Sequence, residues 1–406
     1  MEKKRTRAQD AAKGLMIIAV VFFHCWLTVS ANPQESLMTF NLLSAFFPFL
    51  ISSFFFYTGY NYVPNGKSFK ENIIKRAKQL LIPLVFCWVI SIILISAMEL
   101  AVNHSDIGAT FQSIGNTILY SLMSQPMAMM LNFPQSGGVI FELVVALGLV
   151  WFLYALFICS IFFYLLVNHT NKNLFTLVSV DIVLLAMGFC LGEFVGTYLP
   201  YTVQCFPVIL AIMLTASYLR QSHFLNRRIL SKKDSLFHAI NMIVAEGIVV
   251  GVCLICHYRA GAIFTGSLPG GQFDAQLKGF DAFISFLFSI VGTYFLHTLC
   301  RLLKHIPGVG RALQWVGNHS ATFYLFHPIF MGLVSIVFFR RQVIWGQWQA
   351  FFYVFTTVLL LTVTCLLLDL LVVKKDIKRV KQAVEEVDNN KAPEDLQYER
   401  EDLQTR

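Results

Sequence analysis

Apolar runs of about 20 residues recur along the whole chain and restrict its fold more than any other feature. Roughly 20 apolar residues in a helix span the hydrocarbon core of a bilayer. Because lipid offers no hydrogen-bond partners, the backbone of each run must bond within its own segment, as a helix does. Charged residues make up only 13% of the chain, against about 25% in soluble globular proteins. The sequence therefore predicts an all-α, polytopic transmembrane helical bundle and excludes a water-soluble globular protein.

The bundle is predicted to have about ten spans, each built on one apolar run. The stretch 114–131 is also apolar, but Gln125-Pro126 interrupts it, and we interpret it as an interfacial or re-entrant element. The predicted spans are roughly 14–30, 40–62, 80–100, 140–167, 174–192, 200–219, 236–257, 280–300, 320–339 and 349–373.

The positions of lysine and arginine predict the orientation of the bundle. With the N-terminus inside, the segments on the inner side of the membrane hold 27 of the 31 basic residues. Cytoplasmic segments of membrane proteins carry such an excess of positive charge, and an odd number of spans would destroy the alternation. Both termini are therefore predicted to be cytoplasmic. The net charge of +8 then reflects orientation, and no nucleic-acid partner is predicted.

Two regions follow from this topology. Residues 1–373 are predicted to form the membrane domain, and residues 374–406 a cytoplasmic tail that is first basic, then acidic and partly disordered. The basic part would lie against anionic lipid head groups. The basic start, the first apolar run and Val29-Ser30-Ala31 also resemble a cleavable signal peptide. His24 within that run and the nine later spans favour a retained first helix.

Ionisable groups inside a span are costly to bury, so each one is a candidate functional residue. The first span carries Asp10, Lys13 and His24. Lys13 and His24 are about three helical turns apart and so share one face, separated by roughly 16 Å along the axis. A soluble anionic donor held at the cytoplasmic edge by Lys13 would extend its reactive end to His24. The alternative is a snorkelling lysine and a histidine that packs against a neighbouring helix.

Two further segments bring polar residues to the inner side. Thr58-Gly59 lies near the cytoplasmic end of the second span, where glycine permits close approach of another helix or of a ligand. Helix packing is the simpler explanation of that glycine. Arg76 and Lys78 belong to the basic stretch before the third span, which would bind phosphate groups or anchor to lipid.

The ninth span places His327 about seven residues in from the cytoplasmic side. Pro328 follows it and would kink the helix, leaving backbone groups without their usual hydrogen bonds. His24, Thr58, Arg76 and His327 thus come from four segments and share the inner half of the membrane. A membrane enzyme with a cytoplasmic donor would need these residues to converge.

In this order, the motifs resemble the acyltransferase-3 family of integral membrane O-acyltransferases over about residues 10–370. The most specific part is the family's pattern of a basic residue, ten residues and a histidine, here Lys13-GLMIIAVVFF-His24. The chain departs from the family at Lys13, where arginine is frequent, and at Gln79, which stands at the second position of a basic pair. The supporting segments are FFFYTGY at 54–60, LLIP at 80–83, WFLYALF at 151–157 and GNHSATFYLFHP at 317–328.

The resemblance implies transfer of an acyl group, commonly acetyl, from acyl-CoA to a hydroxyl of a cell-envelope or exported carbohydrate. The acceptor would be a carbohydrate or a lipid-linked glycan. The protein would be a multi-pass enzyme of the plasma membrane of a bacterium. Some members of the family carry an extracytoplasmic domain that completes the transfer, and here any such partner is predicted to be a separate chain.

The resemblance also implies roles for the candidate residues. His24 would take the proton of the acceptor hydroxyl as a general base, or would carry the acyl group as an acyl-imidazole. Burial favours the neutral imidazole that either route needs. His327 or Thr58 would stabilise the oxyanion. The residues that would bind the donor are Lys13, Arg76, Lys78, Asp10 and Gly59.

A transporter or flippase for a lipid-linked glycan is the alternative function. In such proteins, intramembrane histidines and acidic groups relay protons or bind substrate. Transporters often have matched halves with interrupted helices in corresponding positions. The sequence shows no such internal symmetry, which favours the enzyme.

No bound metal or prosthetic group is predicted, because acyl-CoA is consumed as a substrate. Cys253, Cys256 and His257 match the attachment pattern of c-type haem. The match is short and lies in an apolar helix, and no second ligand pair accompanies it.

Overall fold

The computed structural model is helical in every regular element that it describes, which confirms the all-α fold class. The chain divides into two compact units, Met1–Val358 and Leu359–Arg406. The described residues are 7–29, 50–64, 66, 68–103, 107–123, 147, 151–195, 203, 205–222, 224–226, 237, 240–241, 243–244, 247–248, 281–303, 306–339 and 351–371.

The helices are numbered in chain order. Two π-helical turns, Leu191–Val195 and Ser335–Phe339, extend the sixth and tenth helices. The bounds are α1 Arg7–Val29, α2 Leu50–Tyr60, α3 Phe69–Asn103, α4 Ile107–Met123, α5 Trp151–Thr170, α6 Leu174–Cys190, α7 Phe206–Gln221, α8 Asp281–Leu303, α9 Val309–Asn318, α10 Ser320–Val334 and α11 Phe351–Leu371.

Six of these helices are long and apolar enough to cross a membrane, and each coincides with a predicted span. They are α3, α5, α6, α8, α10 and α11, where α6 and α10 include their π turns. Helices α1, α2 and α7 lie in three more predicted spans. The span predicted at 236–257 falls mostly outside the described residues. The count of ten spans and the cytoplasmic position of both termini therefore stay predictions.

The apolar stretch 114–131, predicted to be interfacial or re-entrant, begins inside α4. Gln125-Pro126, the interruption that motivated this interpretation, lies outside the described residues. The re-entrant element thus stays a prediction.

Helix α3 begins well before the span predicted at 80–100, because Ser68 and Glu71 form a capping box. The Ser68 backbone N–H donates to the Glu71 carboxylate (2.8 Å), and the Glu71 N–H donates to the Ser68 hydroxyl (3.3 Å). The basic stretch with Arg76 is therefore the first part of the helix that enters the membrane. This continuity fixes the height of Arg76 relative to residues deeper in α3.

Helices α1 and α9 cross at backbone contact through two glycines. A Cβ added to Gly14 would overlap the Leu313 carbonyl oxygen, and a Cβ added to Gly317 would overlap the Asp10 carbonyl oxygen. Small residues let helix backbones approach this closely. The crossing fixes α9 against the end of α1 that carries Asp10 and Lys13.

Replacing Gly317 with alanine is expected to destabilise the protein by about 1–3 kcal/mol, because the added methyl group forces two backbones apart. Thermal unfolding in detergent would measure the loss. Gly115→Ala in α4 is the matched control, since its added Cβ meets nothing within 4 Å and alanine favours helix by about 1 kcal/mol. Equal unfolding temperatures for Gly317→Ala and the wild type would contradict the close crossing.

Helices α2 and α8 run parallel to each other and are joined by buried polar contacts. The Ser53 and Thr293 hydroxyls are 2.8 Å apart. Four residues further along both helices, the Tyr57 hydroxyl lies 3.4 Å from Nδ1 of His297. Equal steps in the same direction on both helices mean that the two helices are parallel. The predicted topology requires these two helices to be parallel, since the second and eighth spans both run from the outer to the inner side.

The C-terminal ends of α2, α5 and α7 lie together. The Asn171 amide after α5 donates to the Ser217 hydroxyl in α7 (2.9 Å), and the Arg220 guanidinium donates to the Tyr62 carbonyl after α2. These three helix ends belong to segments predicted to face the cytoplasm. They therefore form one common surface at the predicted inner side.

Candidate active site

The strongest candidate site is a pair of buried histidines on different helices. Nδ1 of His24 in α1 lies 2.9 Å from Nε2 of His327 in α10. The ring planes are nearly parallel, at 11°, with centroids 5.2 Å apart, so the hydrogen bond lies close to both planes. His24 is 6% exposed and His327 is 0% exposed. The structure thus brings together two histidines that the sequence placed in different spans.

Pro328 explains how His327 is held in one tautomer. In a helix, the N–H of residue 328 would donate to the carbonyl of Tyr324, but proline has no N–H. The His327 side chain takes that carbonyl instead, because its Nδ1 lies 2.7 Å from the Tyr324 oxygen. A carbonyl can only accept, so Nδ1 of His327 carries the proton.

This bond fixes the proton positions in the whole pair. A neutral imidazole with its proton on Nδ1 presents Nε2 as an acceptor. His24 must then donate through Nδ1 to Nε2 of His327. In neutral His24 the proton is thereby held on Nδ1, and Nε2 keeps its lone pair. The arrangement orients one basic nitrogen, which is the requirement for either a general base or a nucleophile.

Lys13 and Asp10 lie on α1 below His24, in the turn that packs on α9. The helix is continuous from Arg7 to Val29, so Lys13 and His24 share a face as the spacing predicts. Lys13 and Asp10 are partly buried. The glycine contact with α9 holds the backbone of this turn in place.

Thr58 and Gly59 are explained by contacts within the protein. The Thr58 hydroxyl donates to the Phe54 carbonyl in its own helix (2.9 Å). A Cβ on Gly59 would overlap the Met213 backbone in α7, which is the helix-packing explanation of that glycine. An oxyanion role for Thr58 would require its hydrogen bond to the Phe54 carbonyl to break. In the neutral histidine pair, Nε2 of His327 accepts a hydrogen bond and therefore has no proton to donate to an oxyanion. The roles toward substrate that are predicted for Thr58, Gly59 and His327 stay predictions.

The basic residues of α3 differ in their surroundings. Arg76 is partly buried, and its Nε donates to the Ser160 hydroxyl of α5 (3.3 Å). Lys78 and Gln79 are exposed. Arg76 is therefore the better-positioned of the two predicted cations in this helix.

The sequence reasoning did not single out Tyr57 and His297. An apolar span with an internal histidine was the signal that found His24 and His327, and it applies equally to His297. The contact of His297 with Tyr57 lies between α2 and α8, in register with the bond between Ser53 and Thr293. We interpret this second polar contact as a structural link between two helices.

The acidic residues of the predicted spans differ in their surroundings. Asp181 in α6 is buried and accepts a hydrogen bond from the Thr215 hydroxyl of α7 (2.5 Å), which links two neighbouring helices. Glu99 is also buried, near the end of α3. Glu142 and Glu246 lie outside the described residues, as do Cys253, Cys256 and His257. The interpretation of that last motif stays a prediction.

Comparison with known proteins agrees with the motifs. A family model described as an acyltransferase domain matches residues 7–368, nearly the whole chain. No curated protein and no solved structure matches the sequence.

Proposed function

The chain belongs to the acyltransferase-3 family, and from this premise we propose that it transfers acetyl from acetyl-CoA to a hydroxyl of a cell-envelope or exported carbohydrate. Membership in the family and the apolar helices already identify a multi-pass membrane acyltransferase. The identity of the acyl donor, the acceptor class and a bacterial plasma membrane are parts of the proposal.

One observation carries the proposal: the hydrogen bond between His24 and His327, which leaves the lone pair on Nε2 of His24. A buried imidazole held in one tautomer is preorganised for proton transfer, and its orientation does not have to be found anew in each turnover. A packing histidine would need no such arrangement.

The reaction follows from this nitrogen. Nε2 of His24 removes the proton of the acceptor hydroxyl as the hydroxyl oxygen attacks the thioester carbonyl carbon. When the tetrahedral intermediate collapses, the C–S bond breaks and the imidazolium returns the proton to the departing thiolate. The products are the ester and free CoA, and His24 is neutral again. An acyl-imidazole route would use the same Nε2 as the nucleophile.

The placement of the cations supports a cytoplasmic donor. Lys13 lies about 16 Å below His24 on the same face of α1, and Arg76 lies in the first turns of α3, ahead of the span predicted at 80–100. The phosphates of CoA would bind at this edge, and its thioester would reach up to His24. Lysine keeps the charge at position 13 but lacks the bidentate geometry of arginine.

Transfer from radiolabelled acetyl-CoA tests the proposed function directly. Purified protein in lipid nanodiscs, supplied with extracted envelope carbohydrate, is expected to release CoA and to label the carbohydrate in a base-labile linkage. The absence of both CoA release and labelling would contradict the proposal and favour the transport alternative.

Lys13→Gln and Arg76→Gln are each expected to raise KM for acetyl-CoA about tenfold, because a charge-assisted bond to phosphate contributes roughly 1.5–3 kcal/mol. Both variants should leave KM unchanged for S-acetyl-N-acetylcysteamine, a thioester without phosphate. Lys75→Gln is the control, since Lys75 is exposed in the same stretch of α3. An equal rise in KM for both thioesters would show that these cations do not bind phosphate.

A further inference from the structure

The indole of Trp88 in α3 is the starting point. The side chain is partly buried, and its Nε1 is fully buried without a hydrogen-bond partner among the residues that the structure describes. The indole nitrogen can only donate. A buried donor left without an acceptor costs about 1–3 kcal/mol. Thr58 and Asp181 have hydrogen-bond partners inside the protein, whereas Nε1 of Trp88 has none among the described residues.

The depth of Trp88 follows from the continuity of α3. Trp88 lies roughly 18 Å along the helix axis from Arg76. On α1, His24 lies roughly 16 Å from Lys13. The first and third spans are predicted to run in the same direction, each with its cation at the cytoplasmic edge. Trp88 and His24 are thus at similar depths.

Ring contacts connect Trp88 to the histidine pair through α5. The Trp88 indole packs on Tyr154 of α5, with centroids 5.6 Å apart. Two residues away on α5, Phe152 packs on Tyr324 of α10 at 5.4 Å, and the Tyr324 ring lies 5.7 Å from the His327 ring. Tyr154 and Phe152 point to nearly opposite sides of α5. Helix α3 also packs directly against α10, so Trp88 lies on a helix next to the one that carries His327.

The donor substrate supplies a suitable acceptor at this depth. When the phosphates of CoA are at the height of Arg76, the pantetheine arm must pass through the apolar interior to deliver the thioester. Its amide carbonyls lose their hydrogen bonds to water there and need donors from the protein. The amide nearest the sulfur would lie at the level of the reacting carbon.

We propose that Nε1–H of Trp88 donates a hydrogen bond to the pantetheine carbonyl nearest the thioester. This inference rests on the proposed function. It assigns the arm of the donor to the side of α3 that faces α5, between Arg76 and the histidine pair. Trp88 would bind the donor and would take no part in bond making or breaking.

Trp88→Phe tests the proposal because phenylalanine keeps an aromatic ring and removes the N–H. We expect KM to rise about tenfold for acetyl-CoA and also for S-acetyl-N-acetylcysteamine, which retains the amide next to the sulfur. The value of kcat at saturation and KM for the acceptor should stay within about twofold of the wild type. Arg76→Gln should affect acetyl-CoA alone. The temperature of unfolding should fall only slightly, since phenylalanine keeps a ring against Tyr154 and Nε1 of Trp88 has no hydrogen-bond partner among the described residues to lose.

Ser96→Ala is the matched control for this experiment. Ser96 lies on the same helix and is also buried, with a hydroxyl that has no partner among the described residues. It is roughly 12 Å further along α3, too far to share the same amide. This variant should therefore leave KM for both thioesters unchanged.

Several results would overturn the inference. Unchanged KM for both thioesters in Trp88→Phe would overturn it, and so would a rise in KM for the acceptor instead of the donor. A loss in the free energy of unfolding as large as the free energy that corresponds to the rise in KM would also overturn it. Binding of CoA itself separates this test from the proposed function. Wild-type protein that binds CoA but transfers nothing would contradict the function, while an unchanged Kd for CoA in Trp88→Phe would contradict the inference.

Discussion

Replacing His24 with alanine is expected to lower kcat for acyl transfer by about 10²–10⁴, the usual contribution of a positioned general base. The variant loses Nε2 of His24, the nitrogen whose lone pair is oriented by the hydrogen bond to His327. A loss of at least this size is expected whether His24 acts as a base or carries the acyl group, because both routes use Nε2. Steady-state release of CoA at saturating donor and acceptor would measure it.

His297→Ala is the control for His24→Ala, because His297 is also buried in a membrane helix and contacts Tyr57. We expect this control to reduce the unfolding temperature modestly and to change kcat by less than about tenfold. Full activity in well-folded His24→Ala would refute the assignment of the site. An equal loss in both variants would attribute the effect to buried polar packing.

His327→Phe is expected to lower kcat by about 10², with KM for acetyl-CoA unchanged. Phenylalanine keeps a ring in the buried position but removes the acceptor for Nδ1–H of His24. His24 is then no longer restricted to the tautomer with a lone pair on Nε2, and a wrong tautomer is costly in catalysis. Kinetics with saturating and limiting donor would separate kcat from KM.

Pro328→Ala provides an independent test of the same idea. Alanine restores a backbone N–H that competes with His327 for the Tyr324 carbonyl. We expect a smaller loss of kcat than in His327→Phe, with an unfolding temperature equal to or above that of the wild type. If His327→Phe kept wild-type kcat, or if Pro328→Ala lost activity only through unfolding, the tautomer argument would be wrong.

The membrane character and the helical fold were predictable because they depend on local features. An apolar run of the right length has one stable state in lipid, and the charges between runs select its direction. His24 and His327 were found one at a time by the same logic, since each is a costly group in its own span. Lys13 and His24 could even be placed on one face, because both belong to a single continuous helix.

Contacts between spans were not predictable in this way. The sequence placed His24 and His327 at similar depths but gave no reason for them to be bonded, nor for Pro328 to set their tautomer through Tyr324. It left Gly59 open between ligand and helix packing. The structure shows the helix contact, with the Met213 backbone, and the role toward a ligand stays a prediction. It also gave no prominence to Trp88, whose buried Nε1 has no hydrogen-bond partner among the described residues.

The distinction has a physical basis. Hydrophobic length, charge bias and helical periodicity are properties of a segment and its solvent, so the sequence by itself predicts which segments span the membrane and which residues are costly there. Partner choice depends on which faces of different helices meet, and apolar faces rich in Phe and Leu are nearly interchangeable in lipid. The packed structure alone selects the pairs, and with them the nitrogen of His24 on which the proposed chemistry depends.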